Sequence, residues 1–370
     1  MHAGKDTGSI PGLCFRKSDG SVQCNPPGIP LSQPPSPYSN AYMDVLHGRI
    51  SYLETSRGCP FSCAFCLSGI NETARFFDLD QAKSNLLLLA GSGTQTVKLV
   101  DRTFNCNPTR AYELFHFILK NAAILKGVCF HFEVAADLFD ARTLELLSTA
   151  PPGLIQLEAG LQTFNLHTLQ AVSRTTDMAK LEENIRAVIA AENIHLHIDL
   201  IAGLPFEDLD SFTDSFNRAY SLSPHMLQLG LLKMLHGSSL RSHAAGLGYL
   251  YSPLPPYEVI RNPWLSEEDL QTISYADHAL QKLYNSSRFL LTLQYTLASS
   301  GLKPFSIFAD FGKHLIQEGS SAPLPLNALA RLVYDHFSSL PNIDANRLRD
   351  ALVCDLIASG NKIPDFLKIA

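Results

Sequence analysis

Between residues 49 and 233, two kinds of stretch follow one another along the chain. In one kind, apolar and polar residues alternate with period two; in the other, apolar residues recur with helical periodicity. Six of the alternating stretches are predicted strands: Ile50–Ser56, Thr96–Asp101, Val128–Val134, Leu154–Ala159, His195–Ala202 and Met226–Lys233. Helical stretches lie between them, at Asp80–Ala90, Pro108–Lys126, Ala141–Ser148, Asp177–Ala191 and Phe206–Ser221. This alternation is typical of a parallel sheet, and six units are too few for a closed eight-stranded barrel. The pattern therefore predicts an α/β fold with a partial (β/α)6 barrel.

The segments on either side of this region differ from it. Leu13–Arg16 and Ser21–Cys24 flank Asp19-Gly20, a dipeptide typical of hairpin turns. Residues 26–38 contain six prolines, which favours an extended linker. Ser266 precedes an acidic triplet, a typical helix start, and the residues after it are mostly helical in pattern. We divide the chain into a hairpin and Pro-rich linker (1–45), a barrel (46–262) and a helical C-terminal domain of unknown function (263–370).

Polar residues fall on one face of every predicted strand, whereas the other face is mostly Leu, Ile, Val and Phe. Counting with period two assigns the following residues to this polar face: Glu54, Ser56, Asp101, His131, Glu133, Gln156, Glu158, His195, His197, Asp199 and Gln228. Strands packed under helices on both faces would be nearly all apolar. The pattern indicates a hydrated, functional lumen; the alternative is surface residues on wrongly placed strands.

Composition excludes several classes of protein. A chain of 370 residues with 17% charged residues and a mean hydropathy of +0.04 can bury a large core, which excludes wholesale disorder. The sequence has no apolar stretch of membrane-spanning length and no signal-peptide pattern at its start, so we predict a cytoplasmic protein without a membrane partner. The net charge of −6 without a basic stripe gives no indication of a nucleic-acid partner.

Three of the eight cysteines, Cys59, Cys63 and Cys66, follow the first strand with the spacing C-x3-C-x2-C. In a chain without an export signal they are expected to be reduced thiols or metal ligands. A structural zinc site would take a fourth ligand from a second Cys or His pair, and the chain has no second CxxC and no HxxxH. Three thiolates leave one iron of a four-iron cluster open. The spacing favours a [4Fe–4S] cluster; zinc or uncoordinated thiols are the alternatives.

The segment Glu54–Cys66 resembles the cluster loop of radical S-adenosylmethionine (SAM) enzymes. The resemblance implies that SAM binds the open iron through its amino and carboxylate groups. It further implies that an electron donor such as flavodoxin or ferredoxin reduces the cluster, which cleaves SAM reductively to a 5′-deoxyadenosyl radical. That radical would act on a substrate that the sequence does not reveal. The partial barrel of this family agrees with the fold predicted from the strand pattern.

The resemblance also implies cofactor-binding residues: Phe65, Asp101, Glu158, Gln162, Arg174 and Ile201. Glu158, in a segment similar to the fourth-strand motif, would hold the ribose hydroxyls. Phe65 and Ile201 match positions beside the adenine. Asp101 stands where the family binds the methionyl amino group, although the usual Gly-Gly-Glu is absent. Arg174 follows the fourth strand as in coproporphyrinogen-dehydrogenase-like members. No residue is assigned as catalytic.

The lead-in Ile10–Arg16 and a C-terminal stretch beginning at Leu227 are similar to those of cobalamin-binding radical SAM proteins. In that subgroup a preceding Rossmann-like domain, usually with Asp-x-His-x-x-Gly, holds cobalamin. That motif is absent from this sequence, so we expect cobalamin only through a missing or separate domain. The alternatives to a SAM-cleaving enzyme are a fragment of a cobalamin-dependent methyltransferase, a coproporphyrinogen-dehydrogenase-like oxidoreductase, and a non-catalytic cluster- or SAM-binding protein.

Overall fold

The computed structural model describes residues 6–29, 31–68, 73–319 and 324–368. The strands are β1 Cys14–Arg16, β2 Val22–Cys24, β3 Ile50–Leu53, β4 Ser56–Gly58, β5 Ala74–Phe76, β6 Thr96–Leu99, β7 Cys129–Val134, β8 Ile155–Gln162, β9 His195–Ala202, β10 Met226–Leu231, β11 Leu250–Tyr251 and β12 Val259–Arg261. The α-helices are α1 Asn40–Met43, α2 Leu79–Ala90, α3 Pro108–Lys120, α4 Ala141–Ser148, α5 Leu166–Ala171, α6 Met178–Ala190, α7 Leu209–Ser221, α8 Ser239–His243, α9 Glu267–Leu283, α10 Leu290–Ser300, α11 Pro304–Gln317, α12 Leu326–Phe337 and α13 Ala345–Ala358.

The chain forms two compact units, residues 1–42 and 43–370. In the first, β1 and β2 pair antiparallel around the predicted Asp19-Gly20 turn. The Asp19 carboxylate accepts a hydrogen bond from the Ser21 backbone N–H (2.9 Å), and Gly20 has a φ of +85°. The hairpin is therefore confirmed. Residue 30 of the predicted Pro-rich linker lies outside the described residues, and the boundaries at 45 and 262 stay predictions.

The second unit is built around one six-stranded parallel sheet with the order β10-β9-β8-β7-β6-β3. Helices α2, α3, α4, α6 and α7 connect successive strands, and each begins after an Asp or Asn whose side chain accepts a hydrogen bond from the first turn. The predicted partial (β/α)6 barrel is confirmed. The first strand is shorter than predicted because the chain leaves the sheet after Leu53 and forms the small antiparallel pair β4–β5.

Period-two alternation also gives the observed faces of the central strands. Along β8 and β9, the odd positions of β8 and the even positions of β9 are buried apolar residues, and the intervening residues are only partly buried or exposed. The parallel register aligns Glu133 with Glu158 and Glu158 with His197 across three strands. The predicted polar lumen face therefore exists on these strands.

The prediction that Asp101 shares this face is wrong. Strand β6 ends at Leu99, and the residue of β6 that aligns with His131 is Lys98. Asp101 is 1% exposed, and its carboxylate accepts hydrogen bonds from the backbone N–H (2.9 Å) and hydroxyl (2.8 Å) of Thr55 and from the Ser56 hydroxyl. Asp101 falls two residues after Leu99 and four after Val97, so the correct period-two count places it with these buried residues and not with Lys98.

Helices α9 to α13 form the C-terminal region, as predicted. Ser266 and Asp269 make a reciprocal capping box at the start of α9. Helix α11 lies against α9 so closely that a Cβ on Gly312 would stand 1.8 Å from the Tyr275 carbonyl oxygen. Helix α11 also packs on α7 of the barrel, where the Phe216 and Phe305 rings are 5.4 Å apart. Among the described residues, no helix is long and apolar enough to cross a membrane.

Candidate functional site

The cysteine loop is held in place by neighbours on both sides. The Ala64 backbone N–H donates to the Val172 carbonyl, and the Ala64 carbonyl accepts from the Leu240 N–H, each at 2.8 Å. Cys59 and Cys63 are buried and Cys66 is half-buried. Because residues after α5 and in α8 fix the loop backbone, the three thiols occupy defined positions at the edge of the barrel.

Each of the three thiols has a hydrogen-bonding neighbour. The Arg174 guanidinium lies 3.9 Å from Cys63 Sγ, the Thr103 hydroxyl 3.5 Å from Cys59 Sγ, and the Ser68 N–H 3.4 Å from Cys66 Sγ. Burial raises the pKa of the Cys63 thiol, and the positive charge of Arg174 opposes this rise. A thiolate is the form that binds metal, so such donors suit a set of cluster ligands.

The arrangement of the three loop thiols bears on whether they suit an iron–sulfur cluster or a single metal ion. Among them, no three His, Cys, Asp or Glu side chains converge as ligands of one metal ion. In an iron–sulfur cubane each thiolate binds a different iron, so the three sulfurs do not need to converge on one point. The donor set of three loop thiols fits a multinuclear iron–sulfur cluster.

A cavity of about 150 Å³ lies in the lumen beside this loop. Its lining residues are Phe61, Arg102, Thr103, Glu133, Val134, Ala135, Asp137, Glu158, Gly160, Gln162, Arg174, Thr175, Thr176 and Asp199. The structure thus brings three of the predicted cofactor-binding residues, Glu158, Gln162 and Arg174, to one cavity. Arg174 connects the cavity to the loop, because its guanidinium lies beside Cys63 Sγ and also donates to the Gly160 carbonyl on β8.

Several buried polar atoms around this cavity have no hydrogen-bond partner within the protein. They include Gln162 Oε1, Arg174 Nε and Asp199 Oδ1. Buried polar atoms are nearly always hydrogen-bonded, and leaving one unpaired costs roughly 1–3 kcal/mol. Two acceptors and one donor left open on the same cavity fit a polar ligand that has both amino or hydroxyl donors and a carboxylate, as SAM does.

Glu158 is a carboxylate of the cavity whose pKa lies well below its ordinary value. Its Oε2 lies 2.9 Å from His131 Nε2 and 3.3 Å from Lys98 Nζ. The hydrogen bond with His131, assisted by the charge of Lys98, lowers the pKa of Glu158 to about 2 although burial opposes this. The sequence interpretation did not include Lys98; correct period-two counting from Thr96 would have placed it on the lumen face.

The pKa values of two other carboxyl groups of the cavity are raised. Burial and the negative charges of Glu158 and Glu133 raise the pKa of Asp199 to about 7. Burial and the charge of Glu158 also raise the pKa of Glu133. The cavity therefore combines the ionised carboxylate of Glu158 with a carboxyl group, that of Asp199, whose pKa is raised toward neutral pH.

A backbone irregularity on β8 shapes the cavity wall. The pairing of β8 with β9 shifts between Gly160 and Gln162, and Gln162 has a φ of +73°. This bulge turns the Gln162 side chain back over Gly160, where a Cβ would stand 2.4 Å from Gln162 Nε2. Glycine at 160 therefore leaves room for Gln162 beside the Arg174 contact.

The other predicted cofactor-binding residues lie elsewhere. Phe65 is half-buried within the cysteine loop, and Ile201 is half-buried on the lumen face of β9, two residues after Asp199. Asp101, which follows β6, accepts hydrogen bonds from Thr55 and Ser56, the residues that precede the cysteine loop. Arg102 and Thr103, which follow directly after it, line the cavity. The predicted roles of Phe65, Ile201 and Asp101 toward SAM stay predictions.

A histidine cluster occupies the other end of the lumen, near the N-terminal ends of β8 to β10. His195 Nδ1 lies 3.0 Å from His197 Nε2, which in turn lies 2.8 Å from Gln156 Nε2. The rings of His195 and His225 are 4.9 Å apart. Burial, with a further contribution from His195, lowers the pKa of His197 to about 4, so this ring is neutral at pH 7.

Comparison with protein families agrees with the class that this fold and site define. Residues 53–219 match the family described as the radical SAM superfamily, and residues 246–369 match a protein family of unknown function, DUF4080. Residues 53–219 of the barrel are thus a radical SAM region. Members of this superfamily use a [4Fe–4S] cluster and SAM, and they need a reductant.

The similar proteins whose functions are known include methyltransferases. The chain is 25% identical over 284 residues to 2-(S-pantetheinyl)-carbapenam-3-carboxylate methyltransferase of Streptantibioticus cattleyicolor, covering 71% of this chain and 41% of that protein. It is 27% identical over 248 residues to the cobalamin-dependent radical SAM methyltransferase TokK of Streptomyces tokunonensis, covering 61% and 36%. The alignments thus span about two fifths of these relatives.

A solved structure shares the fold. The cobalamin-dependent SAM radical enzyme OxsB superposes with a TM-score of 0.55 at 14% identity, covering 96% of this chain and 60% of that one. At this identity the likeness shows the fold alone. It includes the helical C-terminal region as well as the barrel, because almost the whole chain is covered.

Proposed function

We propose that Cys59, Cys63 and Cys66 hold a [4Fe–4S] cluster with one open iron, and that SAM binds in the adjoining lumen cavity. The contacts of Arg174 carry this proposal: its guanidinium lies 3.9 Å from Cys63 Sγ and also donates to Gly160, between Glu158 and Gln162. The cysteine loop and the cavity are thereby parts of one site. The cluster, reduced by a donor such as flavodoxin or ferredoxin, would supply the electron that cleaves SAM to a 5′-deoxyadenosyl radical.

Residues of this chain would orient SAM by complementary hydrogen bonds. Lys98 and His131 fix Oε2 of Glu158, so Oε1 is the oxygen to which a ribose hydroxyl would donate. Arg174 Nε would donate to the SAM carboxylate, and Gln162 Oε1 would accept from an amino or hydroxyl group. The bonds to Arg174 and Gln162 would satisfy buried groups that have no partner within the protein.

Phe65 and Ile201 complete the proposed cofactor site. By the resemblance of their segments, they would flank the adenine with a backbone contact and an apolar side chain. Asp101 would act indirectly. Its carboxylate accepts hydrogen bonds from Thr55 and Ser56 and would thereby fix the segment ahead of the cysteine loop. The substrate of the radical is a separate matter that the similarity to relatives does not decide.

The test is anaerobic reconstitution followed by reduction with dithionite in the presence of SAM. Chromatography should show slow release of 5′-deoxyadenosine without added cobalamin, and a variant with all three loop cysteines changed to Ala serves as the blank. Product no higher than this blank, from protein with a full and reducible cluster, would contradict the proposal and favour a non-catalytic SAM-binding protein.

A second candidate, cobalamin-dependent methyl transfer, is supported by the similarity to two methyltransferases, one of which is described as cobalamin-dependent. In this case the cobalamin would be held on a separate chain or domain. The barrel would then supply the cluster and SAM. Product that forms only when cobalamin or a cobalamin-domain protein is added would support this second candidate over the first.

A further inference from the structure

Two cysteines far along the chain from the cluster loop stand opposite each other in the N-terminal hairpin. Cys14 of β1 is the register partner of Cys24 of β2, and both are exposed free thiols. The neighbouring Cys24 thiol raises the pKa of Cys14. The proposed SAM chemistry uses neither residue.

The register places the two cysteines in the closer of the two classes of antiparallel pair. Asn25 N–H donates to the Leu13 carbonyl and Lys17 N–H to the Ser21 carbonyl, so the pairs 13/25 and 17/21 are the hydrogen-bonded ones. Alternation then makes 14/24 a pair without backbone hydrogen bonds, with Cα atoms about 4.5 Å apart. Disulfides require Cα separations of about 4.4–6.8 Å. The backbone thus fulfils the distance requirement of a disulfide without unfolding.

The hairpin is held in this register from both ends. At the turn, Asp19 accepts hydrogen bonds from the N–H and hydroxyl of Ser21. At the open end, the Asn25 side-chain amide donates to the carbonyls of Thr7 (2.7 Å) and Ile10 (2.8 Å). Because both ends are fixed, the two thiols stay opposite each other, and their encounter requires little further loss of chain entropy.

We infer that Cys14 and Cys24 are a redox-active cross-strand dithiol that undergoes exchange with low-molecular-weight disulfides of the glutathione type. One thiolate attacks a sulfur of the small disulfide, forming a mixed disulfide and releasing one thiol. The second cysteine, as thiolate, attacks the protein-side sulfur of the mixed disulfide and releases the second thiol. The protein loses two electrons and two protons, and the small disulfide gains both to become two thiols.

Cys354 provides a matched control within the same chain. It is also an exposed free thiol, but it lies on helix α13, and no cysteine partner is recorded for it among the described residues. A lone thiol stops at the mixed disulfide, whereas a paired one proceeds to the internal disulfide. Cys354 and the hairpin should therefore give different products in the same buffer.

The test uses the reconstituted protein in anaerobic buffers of oxidised and reduced glutathione, quenched with acid and alkylated. Trypsin cleaves after Arg16 and Lys17, between the two cysteines, so an internal disulfide joins two otherwise separate peptides. We expect linked peptides at 14/24, glutathione on Cys354, and unchanged iron content. The Cys24→Ser variant should instead carry glutathione on Cys14. Separate glutathione adducts on Cys14 and Cys24, or both thiols reduced where Cys354 is modified, would overturn the inference.

Discussion

The two ends of the lumen are both polar, but they use their polar groups differently. At the end near the cysteine loop, Gln162, Arg174 and Asp199 each keep a buried polar atom without a partner in the protein. At the other end, Gln156, His195 and His197 are paired with one another. Polar lumen residues therefore do not by themselves mark a binding site. Unpaired buried atoms on a shared cavity are a stronger indication, because they need partners from outside the protein chain.

The two ends of the lumen also differ in charge. Glu158 and Arg174 make the loop end charged, and Glu158 stays ionised over the whole physiological range because its pKa is about 2. Lys98 supports this charge from one register step nearer the other end. His197, the register partner of Glu158, bonds with Gln156 and His195 at the other end, and with a pKa of about 4 it is neutral. A charged, partly unpaired cavity suits a zwitterionic cofactor. Neutral, mutually bonded imidazoles suit the interior of a barrel floor.

The largest effect should come from the cysteine loop. Cys63→Ala removes a buried thiol that we propose as a cluster ligand, so reconstituted protein should fall from about four irons per chain to near none and lose the cluster's absorbance and EPR signal. Cys129→Ala is the matched control, since Cys129 is a half-buried thiol on β7 that contacts Gln156. A normal cluster in the Cys63 variant would show that the cysteine loop does not hold the cluster.

Glu158 should show the next largest effect, on SAM affinity. Glu158→Ala removes the proposed charge-assisted hydrogen bond to the ribose, worth roughly 1.5–3 kcal/mol, which corresponds to about a 10- to 150-fold weaker Kd. Calorimetric titration of the cluster-loaded protein measures it, with Gln228→Ala, an exposed lumen-face residue of β10, as the control. Unchanged affinity in the Glu158 variant would remove this carboxylate from the SAM site.

Asp199 should show a pH-dependent effect on stability. Its folded pKa of about 7 lies above its ordinary value of 3.8, so the folded carboxyl keeps a proton that the unfolded one has lost, and stability falls as pH rises between these values. Asp199→Asn removes this penalty. The variant should match the parent near pH 4 and exceed it by about 1–3 kcal/mol at pH 8, allowing for residual solvation.

Thermal midpoints of both proteins across this pH range measure the difference, which should amount to a few degrees at pH 8. Asp140→Asn is a control of opposite sign, because Asp140 is an exposed helix cap whose pKa is lowered by its hydrogen bonds with Thr143. A constant difference between Asp199→Asn and the parent at every pH would show that the carboxyl is not shifted as described.

The smallest effect is expected at the histidine end. His195→Gln retains a hydrogen-bonding side chain beside His197, and it lies at the start of β9, away from the cavity lining. SAM affinity should change less than twofold in the same titration. A loss comparable to that of Glu158→Ala would break the distinction between the two ends.

The sheet was predictable because its strands alternate strongly and each connecting helix starts with a capping Asp or Asn. The β4–β5 pair was not, since Ser56–Gly58 is short, without alternation, and pairs with residues beyond the cysteine loop. For the site, spacing and resemblance identified Glu158, Gln162 and Arg174. Lys98 and the burial of Asp101 were missed because β6 was counted from the wrong position. Counting in twos from Thr96 places Lys98 on the lumen face and Asp101 on the same side as the buried Val97 and Leu99.

The central claim is that SAM occupies the cavity directly beside a cluster on the three loop cysteines. EPR spectroscopy of the reduced, reconstituted protein with and without SAM tests it most directly. The account predicts that SAM changes the cluster signal, because its amino and carboxylate groups reach the open iron, and that Arg174→Gln raises the SAM concentration needed for this change. A fully loaded, reduced cluster whose spectrum stays the same at saturating SAM would contradict it.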